Sequence, residues 1–301
     1  MNWIIFALAG PLIWALVNHI DKFIITKYFH GKGIGSLVMF TGLSGFVVSI
    51  FIIALKYSSI NLGAAPAFFI AINGALLVAS FIPYLHAMEK EEASTVSTLY
   101  QLIPVFGYFL GLIFLHEQLS FWQLIGSSLI IIGAVSISLD FSSKIRIKLK
   151  PLLLMALSSL MIATNGLVFK IIALEENFWG TAFWEYIGGT IFVLFLFFCI
   201  PLYRRQFVGM IKKNKSVISV NFLAEILNII AKLFANFASL LAPLVLVWVV
   251  NSFQPFFVLL YGLILTLLVP KFYRENISKT ILIQKVSAIA IIVLGTYFLF
   301  K

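Results

Sequence analysis

The 301-residue sequence predicts an all-α membrane protein, ten transmembrane helices arranged as two inverted five-helix repeats. Three observations predict it. Hydrophobic residues make up 62% of the chain and charged residues only 11%, whereas a soluble domain carries roughly 25% charged residues. The apolar residues fall into ten stretches of about 20 residues, the length that crosses a bilayer core. The chain also resembles itself at an offset of 151 residues.

Cut at charges and at Gly/Pro/Ser clusters, the ten segments run over about 3–25, 34–55, 66–87, 93–115, 120–139, 151–174, 178–202, 217–238, 243–268 and 281–300. Segment 1 begins MNWIIFALAG, without the basic region of a signal peptide, and reads as a retained helix. Segments 2 and 7 carry FTGLSG (40–45) and WEYIGG (184–189), which align Gly45 with Gly189. Segments 4 and 9 give the clearest match: Pro104 falls on Pro255 and Gly111 on Gly262, and Ala87 meets Ala238 at the same offset. Segments 1 and 6 match loosely through Asn18/Lys22 and Asn165/Lys170. Two polar stretches interrupt the series, Asp140–Lys150 (DFSSKIRIKLK) at the midpoint and Tyr203–Lys215 (YRRQFVGMIKKNK). The predicted organisation is a first repeat over 1–140, a basic linker over 141–150 and a second repeat over 151–301. Units with an odd number of spans enter the membrane in opposite senses, the architecture of many secondary transporters, whose substrate site lies near the midplane between repeats.

Charge sets the expected orientation. Fifteen lysines and arginines fall in connections after odd-numbered segments, against two (Lys56 and Lys301) after even-numbered ones and in the tail. The positive-inside rule then places both termini on the non-cytoplasmic side. The net charge of +10 is accounted for by this loop bias, and no basic run is interleaved with exposed aromatics, so nucleic acid is excluded as a partner. With one cysteine, Cys199, no internal disulfide forms.

The stretch EASTVSTLYQLIPVFGYFLGLIFLHEQLSFWQLIGSSLIIIGAV, from Glu92 to Val135, resembles the end-of-repeat signature of the drug/metabolite transporter superfamily and its EamA branch. In that signature small residues precede a proline in helix 4, a glycine and a Gly-Glu pair follow, and a Gly-rich helix 5 closes the repeat. Here His116-Glu117 stands where Gly-Glu is usual. The second copy, SLLAPLVLVWVVNSFQPFFVLLYGLI, is similar but lacks the glutamate and ends in Val269-Pro270-Lys271. The resemblance covers the whole chain in architecture and about 100 residues in motif. It implies a ten-helix exporter or exchanger of small metabolites, in the inner membrane if the protein is bacterial. Ten-helix members of that family usually keep both termini in the cytoplasm; the charges here predict the reverse.

Segment 8 reads NFLAEILNIIAKLFANFAS. At 100° per residue, Asn221, Glu225, Asn228, Lys232, Asn236 and Ser239 fall within an arc of roughly 80°. A Glu or Lys at a helix centre costs about 2.5–3.5 kcal/mol to insert, so such residues face a bundle interior or a water-filled cavity. A polar seam between helices is the other reading; the length of the stripe and its two signs of charge favour a cavity. Glu225 and Lys232 are separated by about 10 Å along the axis, so each needs a partner elsewhere. A carboxyl that loses and regains a proton during a transport cycle couples protons to transport. Glu225 is the first candidate and Glu185, beside Trp184, the second, although Glu185 also reads as an interfacial carboxylate.

Pro104 and Pro255 remove amide donors and free the carbonyls of Tyr100 and Asn251, which are flanked by Gln101 and Ser252, with Trp248 one turn before Asn251. Freed carbonyls at membrane depth are tolerated where they line a cavity; a packing kink is the alternative. The Trp and Tyr faces suit a cationic or aromatic ligand. On segment 1, Trp14, Asn18, Asp21 and Lys22 share a face, while His19 lies off it and reads as packed. The predicted pathway residues are therefore Asn18, Lys22, Tyr100, Gln101, Asn165, Trp184, Glu185, Asn221, Glu225, Asn228, Lys232, Trp248 and Asn251; segments 1, 4, 6, 8 and 9 are expected to line the pathway, with segments 5 and 10 peripheral. Gly42, Gly45, Gly107 and Gly111 read as close-packing positions.

An intramembrane enzyme needs a nucleophile–base pair or metal ligands. The four histidines, His19, His30, His86 and His116, are scattered, and HExxH and GxSxG are absent. A non-transporting assembly partner explains neither the duplication nor the stripe. The sequence thus predicts a secondary transporter, not an enzyme, without cofactor or metal. It acts as a monomer or homodimer on a small polar or amphipathic metabolite such as an amino acid, with protons as the candidate coupling ion.

Overall fold

The computed structural model describes residues 2–24, 34–88, 99–138, 149–213, 215–268 and 279–299. Every regular element among them is helical. In chain order these are α1 (Asn2–Ile24), α2 (Ile34–Lys56), α3 (Ala64–Met88), α4 (Leu102–Phe114), α5 (Phe121–Ser138), α6 (Leu149–Glu175), α7 (Phe178–Cys199), α8 (Pro201–Lys213), α9 (Lys215–Leu241), α10 (Leu244–Asn251), α11 (Gln254–Leu268) and α12 (Lys279–Leu299). Seven spans, carried by α1, α2, α3, α6, α7, α9 and the α10–α11 pair, are long and apolar enough to cross a membrane. Shorter apolar helices occupy α4, α5 and α12.

The surface fits a lipid solvent. Ile5, Leu55, Phe198 and Leu268 are each at least 70% exposed, and soluble monomers rarely show apolar surface on that scale. Among the described residues the spanning segments are helices, the structure that satisfies backbone amides within the segment as lipid requires. Helix starts are set by side chains where connections are short. Asn177 accepts from the Gly180 amide at 2.8 Å and caps α7. Ser120 and Gln123 exchange side-chain and backbone hydrogen bonds at the start of α5, the reciprocal arrangement of a capping box.

Three elements depart from the sequence expectation. The predicted polar connection Tyr203–Lys215 is largely helix α8. Tyr203, Phe207 and Met210 recur at helical spacing and turn inward toward α2 and α7, with Phe207 edge-on to Phe40 at 5.3 Å, while Arg204, Arg205 and Lys212 are exposed. The Gln206 side chain accepts from the Gly35 amide at the start of α2. The charges masked an amphipathic period. Segment 9, predicted as one helix, is broken at Ser252–Phe253 into α10 and α11. In segment 4 a turn at Tyr100–Gln101 separates helical Leu99 from the helix that starts at Leu102; residues 89–98, the predicted linker up to residue 148, and Val269-Pro270-Lys271 lie outside the described residues.

The packing crosses the middle of the chain. α1 lies along α9, α3 along both α6 and α7, α2 along α7, and α5 along α12. Glycines allow the closest of these approaches: a β-carbon on Gly74 would meet the Glu185 carbonyl, and one on Gly188 the backbone of Ala71. α3 and α7 therefore touch backbone to backbone, which sets the depth of the polar residues at their crossing.

Candidate functional site

At that crossing Glu185 is 1% exposed. Its Oε1 accepts from Asn165 at 2.8 Å and from Asn73 at 3.2 Å. The two asparagines also exchange side-chain-to-backbone bonds, each donating to the other's carbonyl. Lys232, on the α9 stripe, donates to Glu185 Oε2 at 2.5 Å. The ammonium also lies 6.0 Å from the Phe169 ring centroid and 5.9 Å from that of Tyr186, within the range of cation–π attraction. The interfacial reading of Glu185 does not hold: it is a buried, fully engaged carboxylate.

Glu225 sits two turns earlier on α9 and is 9% exposed. Thr41 of α2 donates to its Oε1 at 2.7 Å, while Oε2 has no hydrogen-bond partner among the described residues. Beside it Asn228 accepts from the Trp14 indole at 2.7 Å. Asn221, Asn236 and Ser239 are buried as well, so the stripe points inward along its length.

These groups surround a cavity of about 250 Å³. Of the predicted residues, Asn18, Tyr100, Gln101, Asn165, Glu185, Glu225, Asn228, Lys232, Trp248 and Asn251 line it. Trp184 does not: its indole donates to the Ile60 carbonyl at the connection after α2. Asn221 is buried away from the cavity. The side chains of Lys22 and Pro255 lie outside the described residues. The Tyr100 carbonyl is not left free by Pro104, because the Ile103 amide donates to it at 2.9 Å in a tighter turn. The expected lining helices are joined by α2, α3 and α7, through Thr41, Phe81, Tyr84 and Tyr186, whereas α5 and α12 contribute nothing to it.

One wall is an aromatic wedge. The Trp248 ring occupies the space that β-carbons on Gly107 of α4 and Gly166 of α6 would need, and Leu167, Leu244 and Ile103 pack around it. One turn beyond Gly166 on α6, Lys170 forms a second buried ion pair with Glu117 at 2.5 Å. Lys170 also donates to the Ala242 carbonyl, and Glu117 accepts from the Leu244 amide. This network ties the connection after α4 to α6 and to the start of α10. Sequence reasoning missed Glu117, Asn73 and Thr41 as members of polar networks; the His116-Glu117 motif was the one available signal. Among the described residues, no three His, Cys, Asp or Glu side chains gather as a metal-ligating group.

Comparison with known proteins was made on this fold. Residues 1–139 match the model of the EamA-like transporter family. The match spans 139 of the 301 residues. The EamA-like match carries the resemblance to the drug/metabolite transporter superfamily and points to an integral membrane transporter of that type. A solved structure described only as "Crystal structure of protein" is similar over 99% of this chain and 96% of its own, with a TM-score of 0.65 and 14% identity, a likeness of fold alone. In all, 27 solved chains match this chain, and no match was found among curated proteins.

Proposed function

We propose that the protein is a ten-helix secondary transporter built from two inverted five-helix repeats, which moves a small polar or amphipathic metabolite by alternating access, with Glu225 as the proton-coupling carboxyl. The observation that carries this reading is the cavity between helices of opposite halves, in which polar groups stand among apolar ones and one carboxylate has an oxygen uncommitted among the described residues. In this reading the three shorter apolar helices α4, α5 and α12 cross as well as the seven longer spans.

The repeat reading is supported by the way the helices pair. Exchanging the first five predicted segments for the last five turns the α1–α9 pair into the α6–α3 pair, and both are extensive. It returns the α2–α7 and α5–α12 pairs to themselves. The polar contacts follow the same exchange. The alignment of FTGLSG with WEYIGG sets Thr41 opposite Glu185, and Asn73 precedes Glu225 by 152 residues. Thr41–Glu225 and Glu185–Asn73 are then counterparts, with the carboxylate on opposite partners.

In proteoliposomes, an imposed pH gradient is expected to drive substrate accumulation by the wild type. Glu225→Gln is expected to abolish that accumulation while the protein stays folded and inserted. Full gradient-driven activity in Glu225→Gln removes the residue from the mechanism.

A further inference from the structure

The charged side chains that line the cavity among the described residues are Glu185, Lys232 and Glu225. Glu185 and Lys232 neutralise each other at 2.5 Å, and every oxygen of Glu185 is engaged. Among the described residues Glu225 has no cation: Thr41 serves one oxygen, the Asn228 side chain stands beside the carboxylate, and the other oxygen, in a side chain 9% exposed, has no hydrogen-bond partner. Two further lining groups, the side-chain oxygens of Gln101 and Asn251, are also acceptors without a donor. A buried acceptor left without a donor is costly, and the cost is greatest for a charged one. The cavity therefore asks for hydrogen-bond donors and one positive charge.

From this we infer that the substrate is an organic ammonium compound, an amine carrying an apolar or aromatic body, whose charged nitrogen donates to Glu225 Oε2. The inference rests on the carrier reading above and narrows its substrate class. Lys232 at Glu185 is the internal template: an ammonium on a carboxylate, flanked by the rings of Phe169 and Tyr186. At Glu225 the ligand supplies what the chain itself supplies at Glu185, and Tyr84 and Tyr100, with ring centroids 5.1 Å apart, furnish aromatic wall. An α-amino acid fits less well. Its ammonium and carboxylate are carried on one carbon, too close together to reach Glu225 and Lys232 across about 10 Å of helix, and Lys232 is already paired.

The test uses the full-length protein in nanodiscs and four probes of one shape: phenethylamine, 2-phenylethanol, 3-phenylpropionate and phenylalanine. Phenethylamine is expected to bind about tenfold or more tighter than its neutral isostere, as a charge-assisted hydrogen bond allows. Glu225→Gln is expected to erase that margin and Glu225→Asp to keep part of it. Thermal stability of each variant without ligand separates lost binding from lost fold. Preference for 3-phenylpropionate, phenylalanine or 2-phenylethanol overturns the inference, as does absence of phenethylamine binding or an undiminished margin in a folded Glu225→Gln. Transport is read separately: binding of the amine with no movement across proteoliposomes overturns the carrier reading and leaves only the ammonium site at Glu225 standing.

Discussion

His116 adopts φ 53°, a left-handed conformation that costs a residue with a β-carbon roughly 1–2 kcal/mol. The turn lets the Glu117 amide donate back to the Gly111 carbonyl at 3.1 Å and sends the Glu117 side chain to Lys170 and Leu244. A glycine suits this backbone, which gives a physical reason for Gly-Glu in the family's signature. His116→Gly is expected to raise the unfolding temperature in detergent, by about 1 kcal/mol or less once the glycine's extra freedom in the unfolded chain is counted. The Glu185–Lys232 pair makes an opposite case. Glu185→Gln or Lys232→Met alone is expected to cost about 3–5 kcal/mol, because each leaves one buried charge uncompensated. The double variant should recover most of that loss in the same thermal assay. The α9 stripe was legible in the sequence because six polar residues repeating at helical spacing leave a pattern. Thr41 and Asn73 were not legible. A single hydroxyl or amide in an apolar helix often bonds its own backbone, as Ser49 does to the Gly45 carbonyl, and only the fold distinguishes the two cases.

At the scale of elements, the prolines of segments 4 and 9 marked real interruptions. Their form was hidden, since a proline in sequence does not say whether the helix bends or stops. Here both helices restart within about a turn of the proline, after turns at Tyr100–Gln101 and Ser252–Phe253. The glycines divide by what stands against them. On α7, Gly188→Ala pushes a methyl into the backbone of α3, and overpacking of that kind costs typically about 1–3 kcal/mol. On α8, Gly209 has nothing within 4 Å of an added β-carbon, so Gly209→Ala is expected to gain roughly 0.5–1 kcal/mol from helix propensity. Opposite signs in one denaturation series check both. Loss of stability in Gly209→Ala would show that α8 is not the helix described. The helix itself escaped the sequence reading because its basic residues resemble a loop, while its apolar residues form a stripe of only three turns.

For the whole molecule, the all-helical membrane character was visible in composition, whereas the packing of α1 on α9 and of α3 on α6 and α7 was not. The positive-inside reading yields a direct expectation about orientation. In a Cys199→Ala background, Tyr57→Cys should react with a membrane-impermeant maleimide added outside intact cells, and Arg204→Cys should react only after permeabilisation. The reverse pattern would place both termini in the cytoplasm. The crossed packing also bears on biosynthesis. Asn73 receives its partner Asn165 from 92 residues further along the chain, and Glu185 from 112. Translation delivers α3 to the bilayer long before either emerges, so an amide destined for the interior must wait among lipids or under the cover of an insertase. Final assembly is then set by the arrival of α7, and a stalled or truncated chain would present an unsheltered polar face to the membrane's quality-control proteases.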